Sequence, residues 1–463
     1  MRGRASRHSR AARRERALTR ERALTRARLR ALGAHPVALI GGFVAVHAWL
    51  VAGNLLLPGL PLGDVQLVYP FWAGLGITGE GWVGIDTAWV YPYPALLPML
   101  AVFPFGQGLA GSLAWLLLMS ALNAIALVAL AGVQRDVRRV AAAWWWLAFL
   151  AVLGPIALGR IDAVTAALAV SAAAVLAEHP RWAGALMAAG AWVKVWPGAL
   201  LLAAVVAARR WVDVSRGFLG VSVVVIGVGV LLGGGWALLS PLTEQTGRGL
   251  QVESPLALPW MWLAGLSGSG AGVRGAGADR LAVIAYDTDI LTWQVSGPGS
   301  ELMAALATPV LAAVVLGVLA LGLLARRRKV AEHLLLPALT LALVAALITV
   351  NKVGSPQFAT WLAAPIVLGI LARADGGVRF RVPATIAIAA AALTQVIYPV
   401  EYGAVLSAEP WMLVVLTVRN LAYLALLLWA TWMLVALARG RMGADGEARS
   451  APVAVADVEG ASP

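Results

Sequence analysis

The sequence predicts an all-α, polytopic membrane protein of about twelve transmembrane helices. Three observations carry that prediction. The 463-residue chain is 60% hydrophobic with a mean hydropathy of +0.81, whereas soluble globular chains run at ~45–50% apolar. Apolar stretches of about 20 residues recur along nearly the whole length, and each is long enough to cross ~30 Å of hydrocarbon as a helix. The short alternating segments of a membrane β-barrel are missing, and lipid admits only helices or closed barrels.

Residues 1–35 read as a basic cytosolic tail. The first 30 residues hold twelve Arg, with Glu15 and Glu21 the only acids, and carry a direct repeat, Glu15–Arg20 and Glu21–Arg26. Such a tail suits an anionic leaflet and sets topology. It accounts for much of the net charge of +13, so no folded basic face remains to support nucleic-acid binding. The first apolar segment starts too far from Met1 for an ordinary cleaved signal and reads as an uncleaved span. The chain has no cysteine, which excludes disulfides, thiol catalysis and Cys-ligated metal.

The transmembrane domain covers 36–440. Its spans fall at 36–57, 92–106, 109–133, 140–158, 162–178, 182–206, 217–240, 303–325, 331–350, 356–372, 382–398 and 410–437. Both termini come out cytoplasmic and the localisation is a plasma membrane. Alternating from the first span puts Arg160, Arg209, Arg210, Arg216, the Arg326–Lys329 run, Arg373, Arg379, Arg381 and Arg439 inside. It puts Arg135, Arg138, Arg139, Arg181, Arg248, Arg274, Arg280 and Lys352 outside, and the Arg135–Arg139 cluster is the misfit to the positive-inside rule. Two loops on the outer side are long, 58–91 and 241–302. The second has a Gly-rich stretch at 264–278 and a strand-like stretch near Leu281–Val295. Residues 441–463 read as a disordered cytosolic tail.

Asp64 is the leading catalytic candidate. It follows the first span within a few residues, precedes Tyr69, Phe71 and Trp72, and shares its loop with no Lys or Arg. A carboxylate there can take a proton from a hydroxyl as general base; an ordinary solvated charge is the alternative. Arg160, Asp162, Lys194 and Arg419 lie at membrane depth, where a charge costs ~2.5–3.5 kcal/mol on insertion scales and marks either a function or a helix-to-helix pair. Arg160 and Asp162 can pair with each other, while Lys194 has no acid near it in sequence. Arg248 and Lys352 sit where a lipid phosphate would lie, or else anchor the chain at the interface. The five His show no ligand-pair spacing, so no metal and no other cofactor is expected.

Several elements, in order, resemble one family. They are Gly63-Asp64 with Tyr69, then Tyr91-Pro92-Tyr93-Pro94 leading to Pro98 and Pro104. Next come Gly159-Arg160-Ile161-Asp162, and Ala183-Gly184 followed by Lys194-Val195-Trp196-Pro197. The last are Arg248 to Ser254 and Asn351-Lys352-Val353-Gly354-Ser355-Pro356-Gln357-Phe358. The chain resembles the GT-C superfamily of integral-membrane glycosyltransferases, and within it glycosyltransferase family 87, the polyprenol-phosphate-mannose-dependent mannosyltransferases.

The resemblance implies a hexosyltransferase, with mannose the expected sugar and polyprenyl phosphate its carrier. The acceptor would be an envelope glycolipid or polysaccharide on the extracytoplasmic face. It implies Asp64 as the base. Arg248, Lys352, Lys194 and Gln357 would hold the donor phosphate, and Tyr69, Tyr91, Glu253, Arg160, Asp162 and Arg419 would line the substrate pocket. The family often has Gln where this chain has Arg160. Two rival functions share the helical architecture: a transporter or flippase of a lipid-linked sugar, and a non-catalytic envelope subunit. A transporter often shows internal repeats with paired broken helices, and the two halves of this sequence show no convincing repeat.

Overall fold

The computed structural model describes residues 33, 35–132, 136–244, 247–268, 281–288, 290–373 and 376–440. Nearly all of the tail at 1–35, the tail at 441–463 and most of the Gly-rich stretch at 264–278 lie outside the described residues. The fold is 74% helical.

Helix α1 (Pro36–Leu56) starts with proline at its first position, where no intrahelical N–H is lost, and the His35 ring accepts from the Val37 N–H. A single wide helical turn, Asp64–Val68, leads into α2 (Tyr69–Ile77). A short α3 (Leu96–Val102) follows. The chain then crosses in α4 (Leu109–Ala131) and α5 (Val137–Leu153), and continues through α6 (Asp162–Val175), α7 (Pro180–Ala191), α8 (Gly198–Ala207) and α9 (Trp211–Leu231). In the second long loop, α10 (Leu258–Leu266) accompanies a small antiparallel sheet. Its strands are β1 (Leu250–Gln251), β2 (Val283–Asp287) and β3 (Thr292–Ser296), in the order β1-β3-β2. The strand-like stretch expected near Leu281–Val295 is therefore present. The remaining helices are α11 (Ser300–Arg327), α12 (Glu332–Thr349), α13 (Ala363–Ala372), α14 (Arg381–Gln395), a short α15 (Tyr402–Leu406) and α16 (Pro410–Ala438).

Eight of these helices are long and apolar enough to cross a membrane. The shorter α6, α7, α8 and α13 also run between the two ends of the bundle, because their ends are anchored at opposite faces. At one face, Ala177, Pro180, Ala208, Arg210 and Ala372 line a common cavity with Arg138 and Glu332. At the other, Asp162, Lys194 and Trp361 bond to one another. Helix α12 is central and almost wholly buried, whereas most of α9 and α11 is exposed. Their exposed Leu, Val and Ile side chains would form a large patch in water and are satisfied by lipid.

Two expected spans are corrected. Residues 92–106 do not cross. They form a broken helix, 93–105, whose two ends stay on the Asp64 side: Tyr93 donates to the Val225 carbonyl late in α9, and Ser112, just beyond Gly106, accepts from Gln66. Pro94, Pro98 and Pro104 interrupt it and it is too short to span. The segment 182–206 is not one span but a hairpin, α7 and α8, broken at 192–197, where Pro197 cannot continue a helix. Arg181 at the start of α7 pairs with Asp213 at 3.3 Å, and so does Arg210 just after α8, at 3.0 Å. The two legs are therefore antiparallel, with Lys194 at the tip. Helix α7 packs against α9 with backbones in contact. A Cβ on Gly184 would lie 1.9 Å from the Val214 carbonyl oxygen, and one on Gly217 would lie 1.9 Å from that of Arg181. Small residues permit that approach, and close packing is what holds helices together in lipid.

The two corrections offset each other in number but reverse the side of everything between them. Arg160 lies with Asp64, not opposite it. Arg138, Arg139 and Arg181 lie with Arg209 and Arg210. The misfit of the Arg135–Arg139 region disappears with this change, Arg135 itself lying outside the described residues. Every described Lys or Arg is now either at this basic face or in one group at the opposite end: Arg160, Lys194, Arg248, Lys352 and Arg419. The chain has no native cysteine, so single cysteines report sidedness cleanly. In sealed, oriented vesicles, Glu80→Cys and Arg181→Cys are expected to react with an impermeant maleimide from opposite sides. Labelling from the same side would restore the original order of spans.

Candidate functional site

The charged group at the end opposite the basic face is assembled from six stretches of chain. The turn at Asp64–Val68 presents Asp64, whose carboxylate side chain is 36% exposed. Arg160 reaches it from the loop before α6, with Nε 3.1 Å from Asp64 Oδ2. Arg160 is itself held by the Gly159 carbonyl at 2.9 Å, the Pro61 carbonyl and the Tyr398 hydroxyl at 2.7 Å. Tyr398 in turn donates to the Leu60 carbonyl at 3.1 Å. The loop's own lack of a base does not leave Asp64 unpaired. Among the described residues, no hydrogen-bond donor caps the second carboxylate oxygen.

Asp162 and Lys194 form a second pair at 2.7 Å. Asp162 is fully buried in the first turn of α6, where the helix dipole favours a negative charge. Its other oxygen accepts from the Trp361 indole at 2.7 Å. The Lys194 ammonium lies 5.0 Å from the Phe358 ring centre, 5.4 Å from Tyr91 and 5.7 Å from Trp361, within cation–π range of all three. Arg160 and Asp162, which the sequence allowed to pair with each other, take different partners. Lys194 finds its acid 32 residues away.

Arg248 and Lys352 come from two loops that the backbone stitches together. Gln251 N–H donates to the Lys352 carbonyl at 3.0 Å, Gly354 N–H to the Gln251 side-chain oxygen at 3.1 Å, and the Ser254 hydroxyl to the Asn351 carbonyl at 2.6 Å. Gly354 is required there, since a Cβ would lie 2.2 Å from the Ser254 nitrogen. Arg248 precedes β1 and so inherits this placement. Its pKa is lowered by burial, against the pull of Tyr91, Asp287 and Glu244. That of Lys352 is lowered first by burial and then by Arg248. No described carboxylate lies within ion-pair distance of Arg248, and its buried Nε has no hydrogen-bond partner. Two facing cations in a low-dielectric site attract an anion.

Tyr91 joins the three groups. Burial raises its pKa most, and it feels Lys194, Asp162, Asp64 and Arg248 together. Gln357 is nearly buried, and its side-chain amide has no hydrogen-bond partner among the described residues. Tyr69 is buried beside Trp115, and its hydroxyl accepts from the Ile161 N–H at 2.9 Å, which ties the Asp64 turn to the Arg160 loop. Glu253 and Arg419 stand behind the site as a buried pair at 3.2 Å, and Arg419 also donates to the Glu253 carbonyl at 3.0 Å. Burial pushes the Glu253 carboxyl up to about 7 against the opposing Arg419 charge. Sequence reading missed Tyr398, Trp361 and Phe358. Tyr398 had a signal, a Tyr-Pro pair at a span's end like Tyr91-Pro92.

Residues 89–268 match the family model for glycosyltransferase family 87. Together with the polytopic helical fold, that match supports a membrane glycosyltransferase. The match is to the family that the motifs resemble, and it covers 180 of the 463 residues. The matched segment includes Tyr91, Arg160, Asp162, Lys194, Arg248 and Glu253; Asp64, Lys352, Gln357 and Arg419 lie beyond it. No curated protein matches the chain, and no solved structure does.

The Asp162–Lys194 pair allows a test of its structural role. Asp162→Asn strands a buried ammonium and is expected to cost ~3–5 kcal/mol, read as a lowered thermal midpoint in detergent. Adding Lys194→Met is expected to restore most of that loss. Equal, additive losses in the double variant would show that the two side chains are not coupled.

Proposed function

We propose that the protein transfers a hexose, mannose in our reading, from a polyprenyl-phosphate donor to an envelope glycolipid or polysaccharide acceptor. The observation that carries this is the convergence on Tyr91 of an accessible carboxylate, Asp64, and a cation with no acidic partner among the described residues, Arg248. The reaction needs those two functions within reach of one sugar. Asp64 takes the proton from an acceptor hydroxyl. The hydroxyl oxygen attacks the anomeric carbon as the bond to the phosphate oxygen breaks, and its electron pair leaves with the phosphate. One displacement inverts the anomeric centre. Arg248 and Lys352, with Lys194 and Gln357 beside them, receive the growing negative charge, so fixed cations do the electrostatic work. Arg160 holds Asp64 in line, and Tyr91, Asp162, Glu253, Tyr69 and Arg419 shape and brace the pocket. Binding both substrates supplies further rate by orientation.

The segregation of Arg and Lys supports a cytosolic basic face. The Asp64 end then faces outward from a plasma membrane, with both termini cytosolic.

In membranes given labelled polyprenyl-phosphate mannose, Asp64→Asn is expected to lower turnover ~10²–10⁴-fold, the usual worth of a general base, while donor affinity stays near wild type. Arg248→Ala is expected to raise the donor KM by ~10-fold or more, as loss of a charge-assisted hydrogen bond worth ~1.5–3 kcal/mol implies. Wild-type transfer by Asp64→Asn would remove the base assignment. An unchanged donor KM in Arg248→Ala would remove the phosphate clamp.

A further inference from the structure

A cavity opens at the basic face, away from the Asp64 end. Its volume is about 650 Å³, within the ~300–1,000 Å³ of sites that hold small molecules. Its depth is apolar, walled by Ala173 and Ala174 of α6, Leu336 and Pro337 of α12 and Leu368 of α13. Its mouth is basic, with Arg138, Arg139, Arg209 and Arg210 at the ends of the surrounding helices.

Three of those four cations are already committed. Arg138 pairs with Asp136 at 3.3 Å, Arg139 pairs with Glu178, and Arg210 pairs with Asp213 at 3.0 Å. Glu332 is engaged by the main-chain N–H of Arg209 at 2.9 Å. The Arg209 guanidinium therefore has no carboxylate partner among the described residues. A second polar group lies at this cavity: His333 lines it, and its Nε2 is buried with no hydrogen-bond partner among the described residues. A buried polar atom without a partner is costly, and a ligand oxygen would relieve it.

We propose that this cavity binds one anionic phospholipid from the adjacent leaflet, its phosphate held by Arg209 and His333 and the start of one acyl chain in the apolar depth. A phosphate diester offers acceptor oxygens to both groups at once. The apolar floor has no use for a free phosphate ion but suits a chain attached to one. Basic pockets between helices at the cytoplasmic ends of membrane proteins take anionic headgroups in this way. The site is separate from the charged group at the Asp64 end, so it stands or falls independently of the proposed transfer reaction.

The test uses the full-length chain, purified in detergent and examined by native mass spectrometry with added phosphatidylglycerol, phosphatidylcholine or inorganic phosphate. Wild type is expected to retain phosphatidylglycerol in preference to phosphatidylcholine, and inorganic phosphate is expected not to displace it. Arg209→Ala is expected to bind phosphatidylglycerol roughly fivefold more weakly, the loss of about one cation–headgroup contact. Arg209→Lys, which keeps the charge, is expected to restore retention. His333→Ala carries the same reading should Arg209→Ala fail to fold. Equal retention of the two lipids, or retention unchanged in both alanine variants, would overturn the site. Displacement by inorganic phosphate would overturn the lipid in favour of a soluble anion.

Discussion

Two cations that repel each other are held together by hydrogen bonds between their loops. The loop from Arg248 to Ser254 and the loop from Asn351 to Gly354 are joined by three of them, and neither loop can shift alone. Burial disfavours the charge on both side chains, and on Lys352 the nearness of Arg248 disfavours it further. The rest of the charged end follows a different rule. Asp162 with Lys194 and Glu253 with Arg419 are matched at close range, which is how ionised groups survive away from water. The contrast between the satisfied pairs and the unsatisfied Arg248 gives this end of the bundle its chemical direction.

The helices exist to deliver these groups. The hairpin of α7 and α8 carries Lys194 to its tip, and the hairpin is possible because Gly184 and Gly217 let α7 and α9 touch along their backbones. Helix α6 begins with Asp162, and the loop just before it supplies Arg160, so one turn of chain serves both Asp64 and the buried ammonium. Helix α12, buried for nearly its whole length, ends where Lys352 begins its loop. A central helix so tightly surrounded fixes that loop more firmly than a peripheral one could.

Much of this was legible in the sequence. The apolar runs identified most spans, since lipid imposes their length. Asp64, Arg248 and Lys352 stood out because charges beside or within apolar runs are rare. What hydropathy cannot distinguish is a run that crosses once from a run that turns back. The 182–206 segment is apolar but for Lys194, and only the Pro197 break marks the hairpin. The 92–106 segment is apolar but broken by three prolines, and its failure to cross reversed the side of Arg160, Arg138, Arg139 and Arg181. Pairings were not legible at all where the partners are distant. Arg160 and Tyr398 lie 238 residues apart, and no periodicity records such a contact.

The account turns on where a lipid-linked phosphate sits. The direct measurement is an electron cryomicroscopy structure of the full chain in nanodiscs with a polyprenyl phosphate bound. The account predicts phosphate density bridging Arg248 and Lys352, with its free side towards Tyr91 and Asp64. Phosphate density elsewhere, with Arg248 and Lys352 facing only protein or solvent, would contradict it.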